Sequence, residues 1–361
     1  MKATQQLHDL GQSLWLDNIT RDLLDNRTLK RYIDDLSITG LTSTPTIFEQ
    51  AISKSSSYDA EVGRLMKLGI SDEELFFELA LQDLTRAADL FASVHERTAG
   101  IDGFVSLELS PLLAYDTKKS VSAAKLLYAK GNRPNLFIKI PGTSNGVPAI
   151  EESIANGIPI NVTLLFSREQ YLASAEAYLR GLERRVSAGL SPDVRSVASV
   201  FLSRWDGAIM DKVPDELHDK LGIAIGQQVY KAYRDMLDSD RWQKLASFGA
   251  RPQRLLFAST GTKNPKASDV LYINALAAPN TINTIPEKTL LAFGDHGSVT
   301  GTLPRDGGDC ERVLAGFRSA GIDLDKLAAD LQSKGAETFN QSWSKLLNAI
   351  KAKGKVLQGA A

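Results

Sequence analysis

The sequence contains one cysteine, Cys310, in 361 residues. A single cysteine excludes an intramolecular disulfide framework and any zinc or iron–sulfur site that requires several thiolates. The four histidines are scattered and lack the spacing of a metal-binding motif, so we expect no metal site. A lone free thiol is typical of a reducing compartment, and we expect a cytoplasmic protein.

Neither sign of charge dominates the chain. Lys and Arg number 42 and Asp and Glu number 43, which gives a formal net charge of −1. Such a balance provides no general attraction to nucleic acid or to anionic membranes. The sequence lacks an apolar run of about 18 residues, and Met1–His8 lacks the apolar stretch of a signal peptide. We therefore expect neither nucleic acid nor a membrane as a partner.

Apolar residues make up 43% of the chain, which is enough for a packed core. Short apolar runs rich in β-formers alternate with longer helical patterns, and most of the runs are apolar on both faces, as in a parallel sheet covered by helices. The predicted strands are Leu14–Asp17, Ile38–Thr44, Gly103–Leu109, Leu136–Ile140, Ile158–Leu165, Val197–Leu202, Leu255–Ser259 and Thr281–Ile285. Eight such strands predict an α/β protein with a (β/α)8 TIM barrel.

The main alternative is an open doubly wound sheet, but the first predicted strand is not followed by the usual GxGxxG turn. No linker separates domains, so we expect one domain over residues 1–361, with helical additions around 50–70 and 304–352. The predicted helices are Asp72–Thr98 and Arg168–Ala188, each opened by a serine capping box, and Thr117–Ala129, Asp215–Leu237, Asp269–Ala277, Arg312–Ala320 and Glu337–Ala352. The last few residues after Lys353 are expected to fray.

Barrel enzymes act at the C-terminal ends of their strands, where three predicted strands here carry charged residues. Lys139 lies inside an apolar strand, where burial would favour the neutral amine that attacks a carbonyl. An edge-strand lysine that reaches solvent is the plainer interpretation, and the residue alone favours it. Asp17 ends the first strand, where a helix cap is commoner than a general acid–base. Glu108 could pair with Lys139 or form an outward salt bridge, and neither is preferred.

The predicted fifth and later strands carry polar residues. Asn161 and Thr163 share one face of their strand, because side chains alternate with a period of two. They predict ligand contact or a proton relay, with structural hydrogen bonding as the alternative. Ser199, Phe201 and Arg204 lie at the end of the sixth strand.

Ser259 ends the seventh strand, and its loop carries Lys263. Arg204 and this loop suit a phosphate, since barrel phosphate sites often lie late in the chain and arginine binds phosphate bidentately. The alternatives are a surface ion pair for Arg204 and an ordinary turn for the loop. His296 has no strained nucleophile turn to act with, and we expect it to be structural or peripheral.

Several segments resemble the transaldolase family, in its longer bacterial form, over most of the chain. The most specific are Ile138–Thr143, a lysine strand, and Asn161–Ser167, with the pattern N-x-T-L-L-F-S. The segments Thr42–Phe48, Val105–Asp116 and Ala258–Pro265 also resemble the family. The resemblance implies a Schiff-base mechanism on sugar phosphates, with no cofactor and no metal.

The resemblance also implies roles for individual residues. Lys139 matches the Schiff-base lysine, and Asp17 matches the aspartate that handles the proton of the donor's C4 hydroxyl. Glu108 and Thr163 match the pair that holds the water used in proton transfers.

The remaining matched positions concern substrate contact. Asn161 and Ser199 match residues that contact the dihydroxyacetone moiety, with Phe201 beside them. Arg204 and Ser259 match the phosphate site, and Lys263 is expected to supply a second basic group there.

The chain departs from the family pattern at one position. The family usually has Asn in its T-[ST]-N-P segment, where this chain has Thr44. Threonine keeps a hydroxyl but lacks the donor and acceptor of an amide. The substitution affects one expected contact with a substrate hydroxyl and leaves the lysine chemistry untouched.

The resemblance implies transfer of a dihydroxyacetone unit from sedoheptulose 7-phosphate to glyceraldehyde 3-phosphate, which yields erythrose 4-phosphate and fructose 6-phosphate in the pentose phosphate pathway. A related aldolase that releases free dihydroxyacetone is one alternative. In such aldolases the Glu108 position resembles a Gln and the Phe201 position a Tyr, so this chain resembles the transferases. A non-catalytic barrel that binds sugar phosphate is the other alternative, supported only by Thr44. The sequence leaves the choice between monomer and homodimer open.

Overall fold

A computed structural model describes residues 2–359, without the side chains of the last two. Eight parallel strands pair in chain order, and β8 returns to β1 to close a barrel. The strands are β1 (Ser13–Leu16), β2 (Ile38–Leu41), β3 (Val105–Glu108), β4 (Leu136–Pro141), β5 (Ile160–Leu165), β6 (Ser196–Phe201), β7 (Gln253–Ala258) and β8 (Ile282–Ile285). The predicted (β/α)8 barrel is confirmed, and each of the eight expected strands overlaps an observed one.

Every residue of the eight strands is buried. One face fills the barrel interior and the other packs against surrounding helices, which is why the strands are nearly continuous apolar runs. The few polar residues within them are therefore buried too.

Sixteen α-helices and four short 3-10 segments occupy the described residues between and around the strands. The helices are α1 (Ala3–Leu10), α2 (Arg21–Asp25), α3 (Thr28–Leu36), α4 (Pro45–Lys54), α5 (Asp59–Met66), α6 (Asp72–Arg97), α7 (Thr117–Gly131), α8 (Gly146–Ala155), α9 (Arg168–Ser187), α10 (Ser203–Ile209), α11 (Leu221–Asp238), α12 (Asp240–Ser247), α13 (Leu271–Ala275), α14 (Glu287–His296), α15 (Cys310–Ser319) and α16 (Leu324–Gly359). The 3-10 segments are Ser56–Tyr58, Pro111–Leu113, Met210–Lys212 and Asp215–Leu217.

Two capping boxes fix helix starts as the sequence predicts. Ser71 accepts a hydrogen bond from the backbone N–H of Glu74, whose carboxylate accepts one from the Ser71 N–H. Ser167 and Gln170 form the same reciprocal pair at the start of α9. Each pair satisfies backbone donors that the first helical turn leaves free.

The prediction of one helix over Asp215–Leu237 is wrong, because the segment is interrupted. Asp219 adopts a left-handed conformation with φ of 60°, and the buried carboxylate of Asp206 accepts hydrogen bonds from the backbone of Leu221 and Gly222. These contacts start α11 at Leu221, since acceptors at a helix start bind its free N–H groups.

Two further helix predictions differ in length. The segment predicted over Asp269–Ala277 is α-helical only across α13, since the Asp269 carboxylate binds His296 and does not cap the helix. The predicted Glu337–Ala352 helix is part of the longer α16. That helix continues past Lys353 to Gly359, where frayed residues were expected, and Ala360 and Ala361 lie outside the described residues.

The chain beyond the barrel packs back on its early helices. Helix α16 lies against α4 and α5, and the Thr46 hydroxyl donates to Ser342 at 2.8 Å. The Lys353 ammonium donates to the Ser55 carbonyl at 2.7 Å. We propose that barrel and additions form one domain. No helix among residues 2–359 is long and apolar enough to cross a membrane.

Candidate active site

Lys139 on β4 and Glu108 on β3 form a buried ion pair inside the barrel. The strands bring the two residues into register, and the Lys139 Nζ lies 3.1 Å from Glu108 Oε2. The ammonium also donates to the Ser43 carbonyl at 3.0 Å, and both side chains are 4% exposed. Burial raises the pKa of Glu108, an effect that the Lys139 charge opposes. The interpretation of Lys139 as a solvent-exposed edge-strand lysine is wrong, since a closed barrel has no edge.

Asp17 follows β1 directly and is not a helix cap. Thr20 fills that role, because its hydroxyl accepts from the Leu23 N–H at the start of α2. The Asp17 carboxylate accepts a hydrogen bond from the Thr42 hydroxyl at 2.7 Å. Desolvation raises the Asp17 pKa, while Thr42 and the Lys139 and Arg204 charges act in the opposite direction. A carboxyl with a raised pKa can exchange a proton nearer to neutral pH.

Asn161 and Thr163 point to the barrel interior from β5. The Asn161 amide accepts from the Ser199 hydroxyl at 2.7 Å and donates to the Ser106 hydroxyl at 3.1 Å. Within the described residues, Thr163 Oγ1 and Glu108 Oε1 are buried and have no hydrogen-bond partner. Leaving such groups unsatisfied is costly, so both suit a bound polar species.

Two cations lie at the other side of the site. The Arg204 guanidinium lies 4.8 Å from the centre of the Phe201 ring and 5.8 Å from that of Phe339. Burial lowers the pKa of Lys263, and the charge of the nearby Arg204 lowers it further. Among residues 2–359 neither cation forms an ion pair with a carboxylate, so the surface ion pair considered for Arg204 is not found. Two unpaired cations side by side favour an anionic ligand.

Ser259 follows β7 directly and adopts a left-handed conformation with φ of 53°. Its hydroxyl lies 3.0 Å from that of Ser203, and its carbonyl accepts from the Ser203 N–H at 2.9 Å. These bonds link the ends of β6 and β7. They hold Ser259 beside Arg204 despite a conformation that a residue with a Cβ rarely adopts.

A cavity of about 270 Å³ joins these groups at the C-terminal ends of the strands. Nine of the predicted residues line it: Asp17, Thr44, Lys139, Thr163, Ser199, Phe201, Arg204, Ser259 and Lys263. Glu108 and Asn161 lie behind this wall and contact Lys139 and Ser199. The cavity therefore places a lysine and a carboxyl between a polar wall and a pair of cations.

Thr44 lines the cavity and also caps a helix. Its hydroxyl accepts from the Ile47 N–H at 3.3 Å, at the start of α4. The single hydroxyl of Thr44 is therefore engaged with its own backbone, which limits its contact with a ligand.

The cavity also contains residues that the sequence analysis did not single out. Thr42 and Thr284 lie 2.6 Å apart through their hydroxyls, and Thr42 orients Asp17. Phe339 reaches the cavity from α16. Thr42 stands two residues before Thr44 and could have been suspected, whereas Phe339 carries no local signal. His296 is exposed on α14, binds Asp269 at 3.0 Å and does not line this cavity.

The fold and the residues that line the cavity together describe a parallel α/β barrel enzyme whose candidate site contains a buried lysine. The model of the family described as transaldolase/fructose-6-phosphate aldolase matches residues 14–350. The chain is 41% identical to a transaldolase of Saccharopolyspora erythraea over 96% of each chain. It is 42% identical to one of an Arthrobacter species, again over 96% of each, and 41% identical to one of Thiobacillus denitrificans over 97% of this chain and all of the relative. The chain belongs to the transaldolase/fructose-6-phosphate aldolase family and is an enzyme, a transferase.

Proposed function

We propose that this enzyme transfers a dihydroxyacetone unit from sedoheptulose 7-phosphate to glyceraldehyde 3-phosphate, forming erythrose 4-phosphate and fructose 6-phosphate. Its place would be the pentose phosphate pathway in the cytoplasm. One observation carries the proposal: a buried lysine paired with Glu108 opens onto a small cavity that also holds Asp17 and two unpaired cations. These groups match a phosphorylated ketose in charge and in chemistry.

Covalent bonding begins at Lys139. The neutral amine attacks C2 of the ketose, and loss of the C2 oxygen as water leaves a protonated imine. Glu108 lies within hydrogen-bond distance of the lysine and can hold the proton that the ammonium releases. We assign Glu108 and Thr163 to the water that carries protons in these steps, since each has a buried oxygen with no partner in the described structure.

Asp17 performs the proton transfer of the cleavage step. Its carboxylate takes the proton of the C4 hydroxyl, the C3–C4 bond breaks, and the electron pair moves into the imine to form an enamine. An aldose phosphate leaves. In the second half-reaction the enamine attacks the aldehyde carbon of the acceptor, and Asp17 returns the proton to the new hydroxyl. Water then hydrolyses the resulting imine, which releases the new ketose phosphate and restores the Lys139 amine.

The polar wall and the cations hold the two ends of the substrate. Asn161 and Ser199, bonded to each other, suit the hydroxyls of the three-carbon unit, and Phe201 lines the same cavity as Ser199. Arg204, Ser259 and Lys263 suit the phosphate group. Phosphate at this end places the reacting carbons near Lys139, and such orientation accounts for much of an enzyme's rate.

Borohydride trapping tests the proposal. The enzyme is incubated with fructose 6-phosphate, reduced, digested and examined by mass spectrometry. We expect a three-carbon adduct on Lys139 and none in Lys139→Met, while the exposed Lys119→Met serves as a matched control that traps normally. An adduct on another lysine, or on none, would contradict the proposal and favour a non-catalytic barrel.

An acceptor assay separates transferase from aldolase. With fructose 6-phosphate alone we expect little free dihydroxyacetone, and addition of erythrose 4-phosphate should produce sedoheptulose 7-phosphate. Release of dihydroxyacetone at the same rate with and without acceptor would assign the chain to the aldolases of its family.

A further inference from the structure

A second cavity lies at the opposite end of the barrel, among residues that begin the strands. Its volume is about 820 Å³, three times that of the cavity at Lys139. It lies around Ser13 of β1, Ser196 and Val197 of β6, and Arg254 of β7. A volume of this size is typical of a site for a small-molecule ligand. None of the groups assigned to sugar-phosphate chemistry lines it.

Arginines outnumber carboxylates in the lining of this cavity. Five arginines line the cavity: Arg97, Arg195, Arg234, Arg251 and Arg254. The carboxylates of the lining are Asp102 and Asp238. For a chain with a net charge of −1, this is a local excess of positive charge. Such an excess focuses the potential and attracts anions.

The two carboxylates are already occupied. Asp102 is buried and accepts hydrogen bonds from the Trp15 indole at 2.7 Å, from the Gly103 N–H at 3.0 Å and from the Ser13 hydroxyl. Asp238 pairs with Arg305 at 2.6 Å. Asp102 also lies 3.9 Å from Arg254 and neutralises that arginine, so within the described residues no carboxylate of the lining pairs with the other four.

Two of the five arginines have structural partners. Arg254, 8% exposed, donates to the Ser13 hydroxyl at 2.7 Å and to the Thr281 carbonyl at 2.9 Å. Arg195 pairs with Asp193 at 2.8 Å. These contacts make a rigid basic floor and edge for the cavity.

The other three arginines have no carboxylate partner within residues 2–359. Arg97 and Arg251 are exposed at the rim, and Arg234 is half-buried. The Nε atom of Arg234 is buried without a hydrogen-bond partner. A buried guanidinium donor left unsatisfied is costly, and an anion is the ligand that satisfies it best.

Part of the wall is aromatic. Phe104 and Phe137 stack with their ring centres 4.2 Å apart and 24° between their planes, and both line the cavity with Tyr233 and Trp242. All four rings are at most 5% exposed, so they stiffen the wall and leave the guanidinium groups as the main polar contacts for a ligand.

We propose that this cavity binds a polyphosphate chain, free or carried by a nucleotide, with Arg234, Arg251 and Arg97 on its phosphates. The proposal does not depend on the reaction assigned to Lys139. It gives the enzyme a second ligand site, separated from the first by the length of the barrel.

Isothermal titration calorimetry tests it with ATP, adenosine and inorganic tripolyphosphate. We expect tripolyphosphate and ATP to bind the intact enzyme and adenosine not to bind, and the Arg234→Gln/Arg251→Gln double variant should weaken binding of both phosphates at least tenfold. Arg312→Gln, which removes an exposed arginine on α15, should bind ATP as the intact enzyme does. Unchanged circular dichroism and unchanged turnover of the double variant would show that it folds.

Other outcomes identify the phosphate source or overturn the proposal. Equal binding of tripolyphosphate and ATP would assign the cavity to the phosphate chain alone, whereas binding of adenosine as tightly as ATP would contradict recognition through the phosphates. Loss of ATP binding in Arg204→Gln, with none in the double variant, would place the nucleotide in the catalytic cavity. No measurable heat with ATP at millimolar concentration would also overturn the proposal.

Discussion

Each end of the barrel contains a buried cation beside a buried carboxylate, and the two pairs are built differently. At the C-terminal end, Lys139 lies 3.1 Å from Glu108, whose second oxygen has no partner and whose pKa is raised. At the N-terminal end, Arg254 lies 3.9 Å from Asp102, which accepts hydrogen bonds from Trp15, Gly103 and Ser13. Glu108, which is proposed to exchange protons, has an oxygen without a hydrogen-bond partner. Asp102, which links neighbouring strands, has hydrogen bonds from three donors.

The incomplete bonding of the Lys139–Glu108 pair is expected to lower the stability of the folded protein, as active-site groups commonly do. A desolvated carboxyl with a raised pKa favours the protonated form, which is a useful property in proton transfer and a poor one for stability at neutral pH. The Asp102 carboxylate at the other end accepts three hydrogen bonds, so it contributes to stability instead. Four substitutions test this contrast. Those of Lys139, Asp17 and Thr44 lie at the catalytic end, and that of Asp102 lies at the N-terminal end.

The largest effect is expected from Lys139→Met. Loss of the proposed nucleophile should lower turnover by about 10⁴-fold or more, because Lys263, the other lysine of the cavity, lies beside Arg204 at the end assigned to the phosphate. Turnover and thermal unfolding are measured together, with Lys119→Met as the control. A variant that keeps a hundredth of the normal rate would show that Lys139 is not the nucleophile.

Asp17→Asn should lower turnover by about 10²–10⁴-fold and still allow the imine to be trapped. The variant should also change the pH dependence of stability. Because the folded-state pKa of Asp17 is raised, its contribution to stability is present at acid pH and is lost as the pH rises through that pKa. The stability of the variant relative to the intact enzyme should therefore increase with pH.

Chemical unfolding at several pH values, with turnover at each, measures both effects. Asp240→Asn on the exposed start of α12 is a suitable control. A difference in stability that falls as the pH rises would contradict the assigned direction of the Asp17 shift.

Asp102→Ala tests the other end of the barrel. Removing this carboxylate leaves the Trp15 indole without its acceptor and the buried Arg254 without its charge partner. The free energy of unfolding should fall by about 3–5 kcal/mol, while turnover per folded molecule stays within about twofold. Asp193→Ala breaks an exposed pair and should cost only about 0–1 kcal/mol. Loss of turnover at full stability would mean that the two ends are not separate in function.

The smallest effect is expected from Thr44→Asn. Asparagine caps helices as well as threonine does, so stability should change by less than about 0.5 kcal/mol. The restored amide should lower the KM for the ketose phosphate by up to about tenfold, the worth of one hydrogen bond. Steady-state kinetics measure this, with Thr44→Ser as the control. An unchanged KM would show that another residue already makes the contact.

The barrel itself was predictable because eight buried strands impose apolar residues on both faces. Polar residues such as Lys139 and Asn161 are conspicuous against such runs, so the position of the site followed from the strand ends. The sequence left open whether Lys139 is buried and whether Asp17 caps a helix. In the structure the closed sheet buries Lys139, and Asp17 lies beside Thr42.

Other features depend on contacts that no local pattern contains. The break before α11 depends on Asp206, which lies 15 positions upstream of Leu221. Phe339 enters the cavity only because α16 packs across α4, where Thr46 and Ser342 meet 296 positions apart. Helical periodicity predicts that such a helix exists, but not where it lies.

The way α16 closes the cavity also decides when the enzyme becomes complete. Gln332 on this helix donates to the carbonyls of Leu164, at 2.9 Å, and Gly142, at 3.0 Å, beside the strands that carry Thr163 and Lys139. Leu164 is held at φ of 57°, a conformation that a leucine rarely adopts unaided. The wall formed by Phe339 and the support from Gln332 both come from residues that the ribosome makes after all eight strands. All eight strands are therefore present in a nascent chain before the residues that complete its pocket have been made.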